Sequence, residues 1–172
     1  MNIVPKYGYN IQGLWISGLQ RSFSLKNIVL PLKLIISLIQ SMFILIKYKP
    51  KFVIGTGGFA SFPIVFISSI LRIPTLIQEQ NSFPGITNKL LSKRASKICV
   101  AYDHLERFFP LDKMVKTGNP VRQEIVKLAG KRDRGIAHFD LDPNRPIVLV
   151  IGGSLGARSI NQAIDEALPS IK

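Results

Sequence analysis

Two glycine-rich turns in this sequence have the composition of phosphate-binding turns. They are VIGTGGFAS (Val53 to Ser61) and VIGGSLGA (Val150 to Ala157). In each, an apolar run precedes the glycines and helix-forming residues follow, so the turn could bring backbone N–H groups close to an anion. Neither has the glycine spacing of a dinucleotide fingerprint or the lysine of a P-loop. Each turn alone could therefore also serve packing only.

A polar cluster, Glu79-Gln80-Asn81, directly follows the apolar run TLIQ. A carboxylate and two amides at the end of a strand suit the recognition of a polar ligand such as a sugar. Glu79 is the first acid in the chain, so we expect it to be ionised and to pair locally. The alternative is that Asn81 or Ser82 caps the helix that follows.

A third cluster is Gly118-Asn119-Pro120-Val121-Arg122. It follows a predicted strand and precedes a charged, helix-forming stretch. An arginine in this place could bind a pyrophosphate through two parallel hydrogen bonds. The alternative for Arg122 is an ordinary surface salt bridge.

The sequence has no recognisable set of metal ligands. The chain has one cysteine, Cys99, and two histidines, His104 and His138, without metal-ligand spacing. A single cysteine also excludes a disulfide framework and fits a reducing compartment. Asp140 and Asp142 form an Asp-x-Asp pair, but the Pro-Asn-Arg-Pro that follows favours a turn. We therefore expect neither a metal nor a cofactor.

Alternating strands and helices position these clusters. The predicted strands cover residues 11–16, 51–55, 75–78, 97–101, 114–117 and a last run that starts at 147. The predicted helices cover residues 28–48, about 60–71, 86–95, 103–109 and 122–128. Short, nearly all-apolar strands that alternate with helices are typical of a parallel α/β sheet covered on both faces. Ligands of such sheets bind at the carboxyl ends of the strands, where the clusters fall.

The polar stretch GKRDRGIAHFDLDPNRP predicts a domain boundary. We expect a first domain at residues 1–120, an interdomain helix and linker at 121–145, and the first strand and helix of a second domain at 146–172. The two glycine turns then belong to different domains, and we expect them to face one another across a cleft.

The positive charge is large and unevenly distributed. The net charge is +13, and residues 1–78 include eight Lys or Arg and no acid. This imbalance indicates an anionic partner. The basic residues are dispersed among aliphatic ones instead of alternating with aromatics, so no nucleic acid is expected as partner. A charge-free window, Phe52 to Leu71, contains a glycine turn and Pro63, which favours a strand, turn and helix over a membrane span.

The predicted helix from Ile28 to Tyr48 favours an anionic membrane surface as that partner. Its uncharged run, Leu34 to Ile46, is thirteen residues long, short of the roughly 20 that span a bilayer. Lysines flank the run at positions 26, 33, 47, 49 and 51. A helix lying on an anionic leaflet has this composition; an ordinary buried helix with solvated ends is the alternative.

Four motifs in this order, VIGTGGFAS, IQEQNSFPGITNK, KTGNPVR and IGGSLGA, resemble those of the MurG family. The resemblance covers nearly the whole chain. It implies a Rossmann-like parallel sheet in a GT-B glycosyltransferase fold, here a fragment of the N-terminal domain plus the start of the C-terminal domain. It also implies a role in peptidoglycan biosynthesis, the inverting transfer of N-acetylglucosamine from UDP-N-acetylglucosamine to the undecaprenyl-linked muramoyl-pentapeptide (lipid I to lipid II).

The resemblance assigns roles residue by residue. Asn81, Arg122 and Ser154 match positions that bind the donor. Gly57, Gly58, Phe59 and Glu79 match the acceptor side of the cleft. The common form of the last turn has glutamine where this chain has Leu155, which receives no role. No residue here matches the family's presumed base, a histidine in an N-terminal glycine-rich turn, so the catalytic residue stays unknown.

The family's first strand and that glycine-rich turn have no counterpart here, and neither does most of its donor domain. We therefore expect an internal fragment that is inactive by itself. The resemblance implies a location in the bacterial cytoplasm, peripheral on the cytoplasmic face of the membrane. Two alternatives stay open: another two-domain UDP-sugar transferase that acts on glycolipid, and a non-enzymatic basic module that binds membrane or RNA.

Overall fold

The structure, a computed structural model, describes residues 3–18, 28–127, 129–153 and 157–170. The chain divides into two compact units, Met1–Val121 and Arg122–Lys172. Each unit is described by itself.

The first unit is built on a four-stranded parallel sheet. Its strands are β1 (Val53–Gly55), β2 (Thr75–Glu79), β3 (Lys97–Val100) and β4 (Met114–Lys116). They lie in the order β1-β2-β3-β4, and every neighbouring pair is parallel. The carboxyl ends of all four strands therefore meet at one edge of the sheet. This arrangement confirms the predicted Rossmann-like α/β sheet.

The helices of this unit are α1 (Ile3–Lys6), α2 (Leu30–Tyr48), α3 (Ser61–Ile70) and α4 (Ile86–Leu91). Helices α3 and α4 pack against the sheet, and α2 packs against α3, around a small apolar core. The buried core consists of Val65, Ile77, Leu91, Ala95, Ile98, Val100, Leu105 and Phe109. Strand β1 passes very close to α3, because a Cβ atom on Gly55 would lie 2.8 Å from Val65 Cγ2. Glycine is thus required at the end of β1 by packing.

Helix α2 buries two serines and exposes a row of large apolar side chains. Ser37 and Ser41 are fully buried, and their hydroxyls donate to the carbonyls of Leu34 and Ser37, each at 2.7 Å. A row of large apolar side chains on the helix is at least half exposed: Leu32, Ile35, Ile39, Phe43, Ile46 and Tyr48. By length and composition alone α2 is long and apolar enough to cross a membrane, but the core helix of a soluble protein or a signal sequence has the same length and composition.

The predicted strand at residues 11–16 is not formed, and the segment lies along α2 instead. The backbone N–H of Trp15 donates to Gln40 Oε1 at 2.8 Å, and Gln12 Nε2 donates to the Tyr48 hydroxyl at 2.7 Å. The segment therefore forms hydrogen bonds with side chains of α2 instead of with a neighbouring strand.

Residues 103–109 form turns, where the sequence predicted a helix. His104 has a left-handed backbone with φ 63°, which a right-handed helix does not accommodate. The carbonyl of Leu105 accepts from the N–H groups of both Phe108 and Phe109. The buried side chains of Leu105 and Phe109 anchor the segment to the core.

The described residues of the second unit include helices α5 (Gln123–Val126), α6 (Lys131–Phe139) and α7 (Arg158–Ala167), and a short 3-10 helix at Leu168–Ser170. The predicted strand that starts at Ile147 is wrong: Val148 and Leu149 are each 78% exposed, and no strand is assigned among the unit's described residues. A strand needs a hydrogen-bonded neighbour. The polar boundary stretch contains α6. Between the end of α6 and the end of the stretch, Asp142 Oδ1 accepts from the Asn144 N–H at 2.9 Å, which forms the predicted turn.

Candidate functional site

Three of the sequence motifs meet at the carboxyl edge of the sheet. Gln80 Nε2 donates to the carbonyl of Thr56 at 2.9 Å, which joins the turn after β2 to the turn after β1. Asn119 Nδ2 donates to the carbonyl of Gln80 at 3.2 Å, which joins it to the turn after β4. The GTGG, EQN and GNP motifs, far apart in sequence, thus form one hydrogen-bonded layer.

Glu79 is the centre of this layer and is almost fully buried, with 1% of its surface exposed. Its Oε1 accepts from the backbone N–H and from Nδ2 of Asn81, each at 3.0 Å. Its Oε2 accepts from the Gly85 N–H at 3.1 Å and from Asn88 Nδ2 at 2.9 Å. Four donors converge on the two oxygens, which is the arrangement that a carboxylate accepts.

These contacts change the interpretation of the Glu79-Gln80-Asn81 cluster. Glu79 does not point to solvent or to a cation but fixes the loop from Asn81 to Gly85. The alternative of a cap by Asn81 or Ser82 is wrong, because the N-cap of α4 is Gly85 and makes no side-chain cap bond. The N–H of Gly85 is satisfied by Glu79, a residue six positions earlier.

The glycine turn after β1 has the left-handed backbone that its composition predicts. Gly57 and Gly58 have φ of +85° and +73°, which other residues adopt only under strain. The N–H groups of Ser61 and Phe62 are bonded to the carbonyls of Gly58 and Phe59. Fewer N–H groups at the start of α3 are therefore open to an anion than the sequence suggested.

A small polar cleft lies between these turns. Its lining includes Gly57, Gly58, Glu79, Asn81 and Asn88, with a cavity volume of about 150 Å³. Typical small-molecule sites measure roughly 300–1,000 Å³, so this cleft has room for one part of a ligand, such as a sugar ring or a phosphate. Its polar groups suit either.

Phe59 is placed differently from the other residues matched to the acceptor side. Its ring, 50% exposed, lies outside the polar cleft and lines an adjoining apolar groove. The ring packs directly on Gly18, where a Cβ atom would approach Phe59 Cδ1 to 3.0 Å. A larger residue at position 18 would therefore push against the Phe59 ring.

The remaining predicted residues lie elsewhere. Arg122, at the N-cap of α5, is exposed in the second unit. Ser154 lies outside the described residues, as does Leu155. His104 is an exposed residue 3.7 Å from Glu106 Oε1, and His138 packs edge-on against Phe139. Neither histidine lines the polar cleft.

Two residues of the site were missed by the sequence analysis. Asn88 is 2% exposed, and its Nδ2 bridges Glu79 and the carbonyl of Gln78. Gln78 is 7% exposed and donates to the carbonyl of Gly118 at 3.2 Å. A signal existed for Gln78, which is a polar residue directly after the apolar pair Leu76-Ile77 of β2. Asn88 gave none, since a single asparagine in a short helix is common.

Comparison with known proteins identifies relatives over the whole chain. The profile of the glycosyltransferase family 28 N-terminal domain matches residues 1–100. A protein of Flavobacterium psychrophilum is 58% identical over 164 residues, 95% of this chain and 45% of its own length. One of Christiangramia forsetii is 53% identical over 172 residues, 100% of this chain and 47% of its own. Both are named UDP-N-acetylglucosamine--N-acetylmuramyl-(pentapeptide) pyrophosphoryl-undecaprenol N-acetylglucosamine transferase.

A solved structure is also similar. The crystal structure of Acinetobacter baumannii MurG matches with a TM-score of 0.60 and 28% identity, over 91% of this chain and 40% of that one. The chain thus spans about half the length of the curated relatives it matches. Each similarity agrees with the resemblance that the four motifs indicated.

Proposed function

Because this chain belongs to glycosyltransferase family 28, whose N-terminal domain it matches over residues 1–100, we propose that it forms the acceptor-side domain of a cell-wall glycosyltransferase with a GT-B fold. The enzyme transfers N-acetylglucosamine from UDP-N-acetylglucosamine to a muramoyl-pentapeptide on undecaprenyl pyrophosphate, the activity named for its relatives. The observation that carries the proposal is that the GTGG, EQN and GNP motifs form one hydrogen-bonded layer, with the polar cleft between the GTGG and EQN turns.

Asn81 and Glu79 have different roles in this reaction. The acceptor's muramoyl 4-hydroxyl attacks the anomeric carbon of the donor sugar with inversion, and UDP leaves. Asn81 presents its amide to the donor sugar, in an orientation fixed by Glu79. Since both oxygens of Glu79 already accept two hydrogen bonds each, Glu79 is a positioning residue and not the base. No histidine of this sequence matches the base that the resemblance implies.

The direct test is transfer by a full-length enzyme that carries this sequence. With labelled UDP-N-acetylglucosamine and lipid-linked muramoyl-pentapeptide, we expect product, and Asn81→Ala should lower kcat/KM by about tenfold or more, the scale of one lost hydrogen bond to a polar ligand. Asn144→Ala, in an exposed turn of the second unit, is the matched control. Transfer to a diacylglycerol acceptor with none to the muramoyl acceptor would favour the glycolipid alternative.

For the donor we propose Arg122 and Ser154 as pyrophosphate and nucleotide contacts. Arg122 is exposed at the start of α5, and its planar guanidinium can bind two phosphate oxygens at once. Arg122→Ala in the full-length enzyme should weaken UDP-N-acetylglucosamine binding by about 1.5–3 kcal/mol. Arg122→Lys should restore only part of it. If calorimetry finds that both variants bind UDP-N-acetylglucosamine as tightly as the parent, Arg122 is an ordinary surface residue.

We further propose that α2 docks on the anionic cytoplasmic face of the bacterial membrane, where the acceptor lipid resides. The burial pattern of the helix supports this, since its serines are buried in the protein and its exposed side is a row of Leu, Ile and Phe. Lys47 and Lys49 at its C-terminal end are exposed and can contact lipid headgroups. Apolar rows of this kind on a surface mark membrane or protein contacts.

Vesicle co-sedimentation of the full-length enzyme tests this docking. Binding should increase with anionic lipid and decrease with salt. Exchange of Ile35 and Phe43 for Ser should weaken it on all vesicles, whereas Lys47→Gln should weaken it only on anionic ones. The control is Leu111→Ser, an equally exposed apolar residue outside α2. Equal binding to neutral and anionic vesicles, or none to either, contradicts the proposal.

A further inference from the structure

An apolar groove adjoins the polar cleft of the first unit. Its walls come from the segment before α2, from α2, from the turn after β1 and from α4, and include Ile16, Leu30, Leu34, Phe59 and Leu90. The cavity volume is about 210 Å³. An apolar cavity of roughly 150 Å³ is enough to hold a benzene molecule of six carbons. The groove therefore has room for at least one branched five-carbon unit.

The groove and the polar cleft are neighbours along one continuous surface. Thr87 lines both, and the chain passes from the cleft to the groove between Gly58 and Phe59. A ligand that fills both must carry a polar group directly next to an apolar one. On the far side the groove is bounded by Leu30 and Leu34 of α2, the helix whose outer row is apolar.

The acceptor named for the relatives is such a ligand, since its pyrophosphate is joined directly to a polyprenyl chain. We propose that the groove binds the first isoprene units of this chain, next to the pyrophosphate. This rests on the proposed function. The muramoyl-pyrophosphate end occupies the polar cleft, the first isoprene units lie between Phe59 and Leu90, and the rest of the chain passes over α2 into the bilayer. The groove thus fixes the position of the lipid so that the muramoyl sugar reaches the donor.

Acceptor analogues with shortened tails test the groove in the full-length enzyme. With tails of one, two, three and four isoprene units, kcat/KM should increase over the shortest tails and then level off, because the groove encloses only the units next to the pyrophosphate. Burial of about two methylene groups already changes affinity roughly tenfold. In Leu90→Gln, and likewise in Leu30→Gln, kcat/KM should no longer increase with tail length, because the groove then offers the prenyl chain a polar wall.

Leu90 is 61% exposed, so its exchange should not affect folding, and Leu111→Gln, at a leucine that is 71% exposed, is the control. Calorimetry with farnesyl pyrophosphate and with inorganic pyrophosphate gives a second readout that does not need activity. The parent should prefer the farnesyl compound by tenfold or more, and Leu90→Gln should remove that preference without changing the affinity for pyrophosphate.

A parent enzyme that uses all tail lengths equally would overturn the groove assignment and leave the proposed function standing. So would variants that keep the full dependence on tail length, or equal binding of phospholipid acyl chains and prenyl chains at this groove. Failure to transfer N-acetylglucosamine to any muramoyl acceptor would instead overturn the proposed function, and the farnesyl pyrophosphate titration would still decide whether the groove binds a prenyl chain.

Discussion

Glu79 holds Asn81 by two hydrogen bonds to a single oxygen: Oε1 accepts from the backbone N–H and from the side-chain Nδ2 of Asn81, each at 3.0 Å. The family resemblance matches Asn81 to the donor and Glu79 to the acceptor side. The structure makes these two assignments interdependent, because the orientation of the Asn81 amide is set by a buried carboxylate at the end of β2.

Exchange of Glu79 for glutamine should therefore disturb both stability and donor binding. One of the two oxygens becomes an NH2 group that faces donors, which leaves at least one buried N–H unpaired and removes the charge from the remaining bonds. We expect the free energy of unfolding of the first unit to fall by about 2–3 kcal/mol, measured by urea denaturation. In the full-length enzyme the KM for UDP-N-acetylglucosamine should rise by about tenfold.

Glu106→Gln is the matched control for this prediction, because Glu106 is exposed and its contact with His104 is long, at 3.7 Å. It should change stability by less than about 0.5 kcal/mol. If Glu79→Gln is as stable as the parent, the buried carboxylate does not hold the loop in the way described.

Gly55→Ala should destabilise the sheet by about 1–3 kcal/mol. The added methyl group would lie 2.8 Å from Val65 Cγ2, so β1 and α3 would have to move apart. Gly85→Ala is the control, because Gly85 has an ordinary φ of −66° and open space at its Cβ position. Thermal unfolding followed by circular dichroism measures both, and an equal loss in the two variants would contradict the packing argument.

Lys89 links the loop after β2 to the turns before β4 through two aromatic rings. Its Nζ lies 4.0 Å from the ring centroid of Phe83 and 4.5 Å from that of Phe108, and the two rings meet edge-on at 5.1 Å. Lys89→Gln should lower the free energy of unfolding by about 1 kcal/mol, whereas Lys89→Arg should keep most of it.

The nearby Lys93→Gln, at an exposed position, serves as control in the same urea titrations and should have no measurable effect. Equal effects of the glutamine and arginine variants at position 89 would show that the charge over the rings contributes nothing.

Asp103 should titrate below its ordinary value. Lys116 Nζ donates to Asp103 Oδ2 at 2.6 Å, and this hydrogen bond, then the attraction between the charges, lowers the pKa of Asp103 from 3.8. Because the folded pKa is the lower one, the pair stabilises the fold above the unfolded pKa and loses that effect as pH falls through the folded pKa. The groups are exposed, so the effect on stability is small.

Carboxyl-carbon NMR of Asp103 measures this titration. Lys116→Gln should move the midpoint up towards 3.8, and high salt should move it in the same direction. An unchanged midpoint in Lys116→Gln would contradict the ion pair.

The sequence by itself determined the elements that depend on local pattern. The four strands from Val53 to Lys116 and helices α2 and α3 lie within a few residues of their predicted positions, because apolar runs, proline placement and glycine turns act over short stretches. The left-handed Gly57 and Gly58 followed from the same local rules. The order of the motifs indicated the family before any distance was known.

Only the tertiary structure decided which surfaces meet. Residues 11–16 are apolar enough for a strand but bond to Gln40 and Tyr48 of α2. Ser37 and Ser41 of α2 are buried, since small side chains let helices approach closely. Glu79 was recognised as an acid at a strand end, but its four donors come from residues two, six and nine positions later. Burial and hydrogen bonding of this kind depend on chain segments brought together in space, which local sequence pattern does not specify.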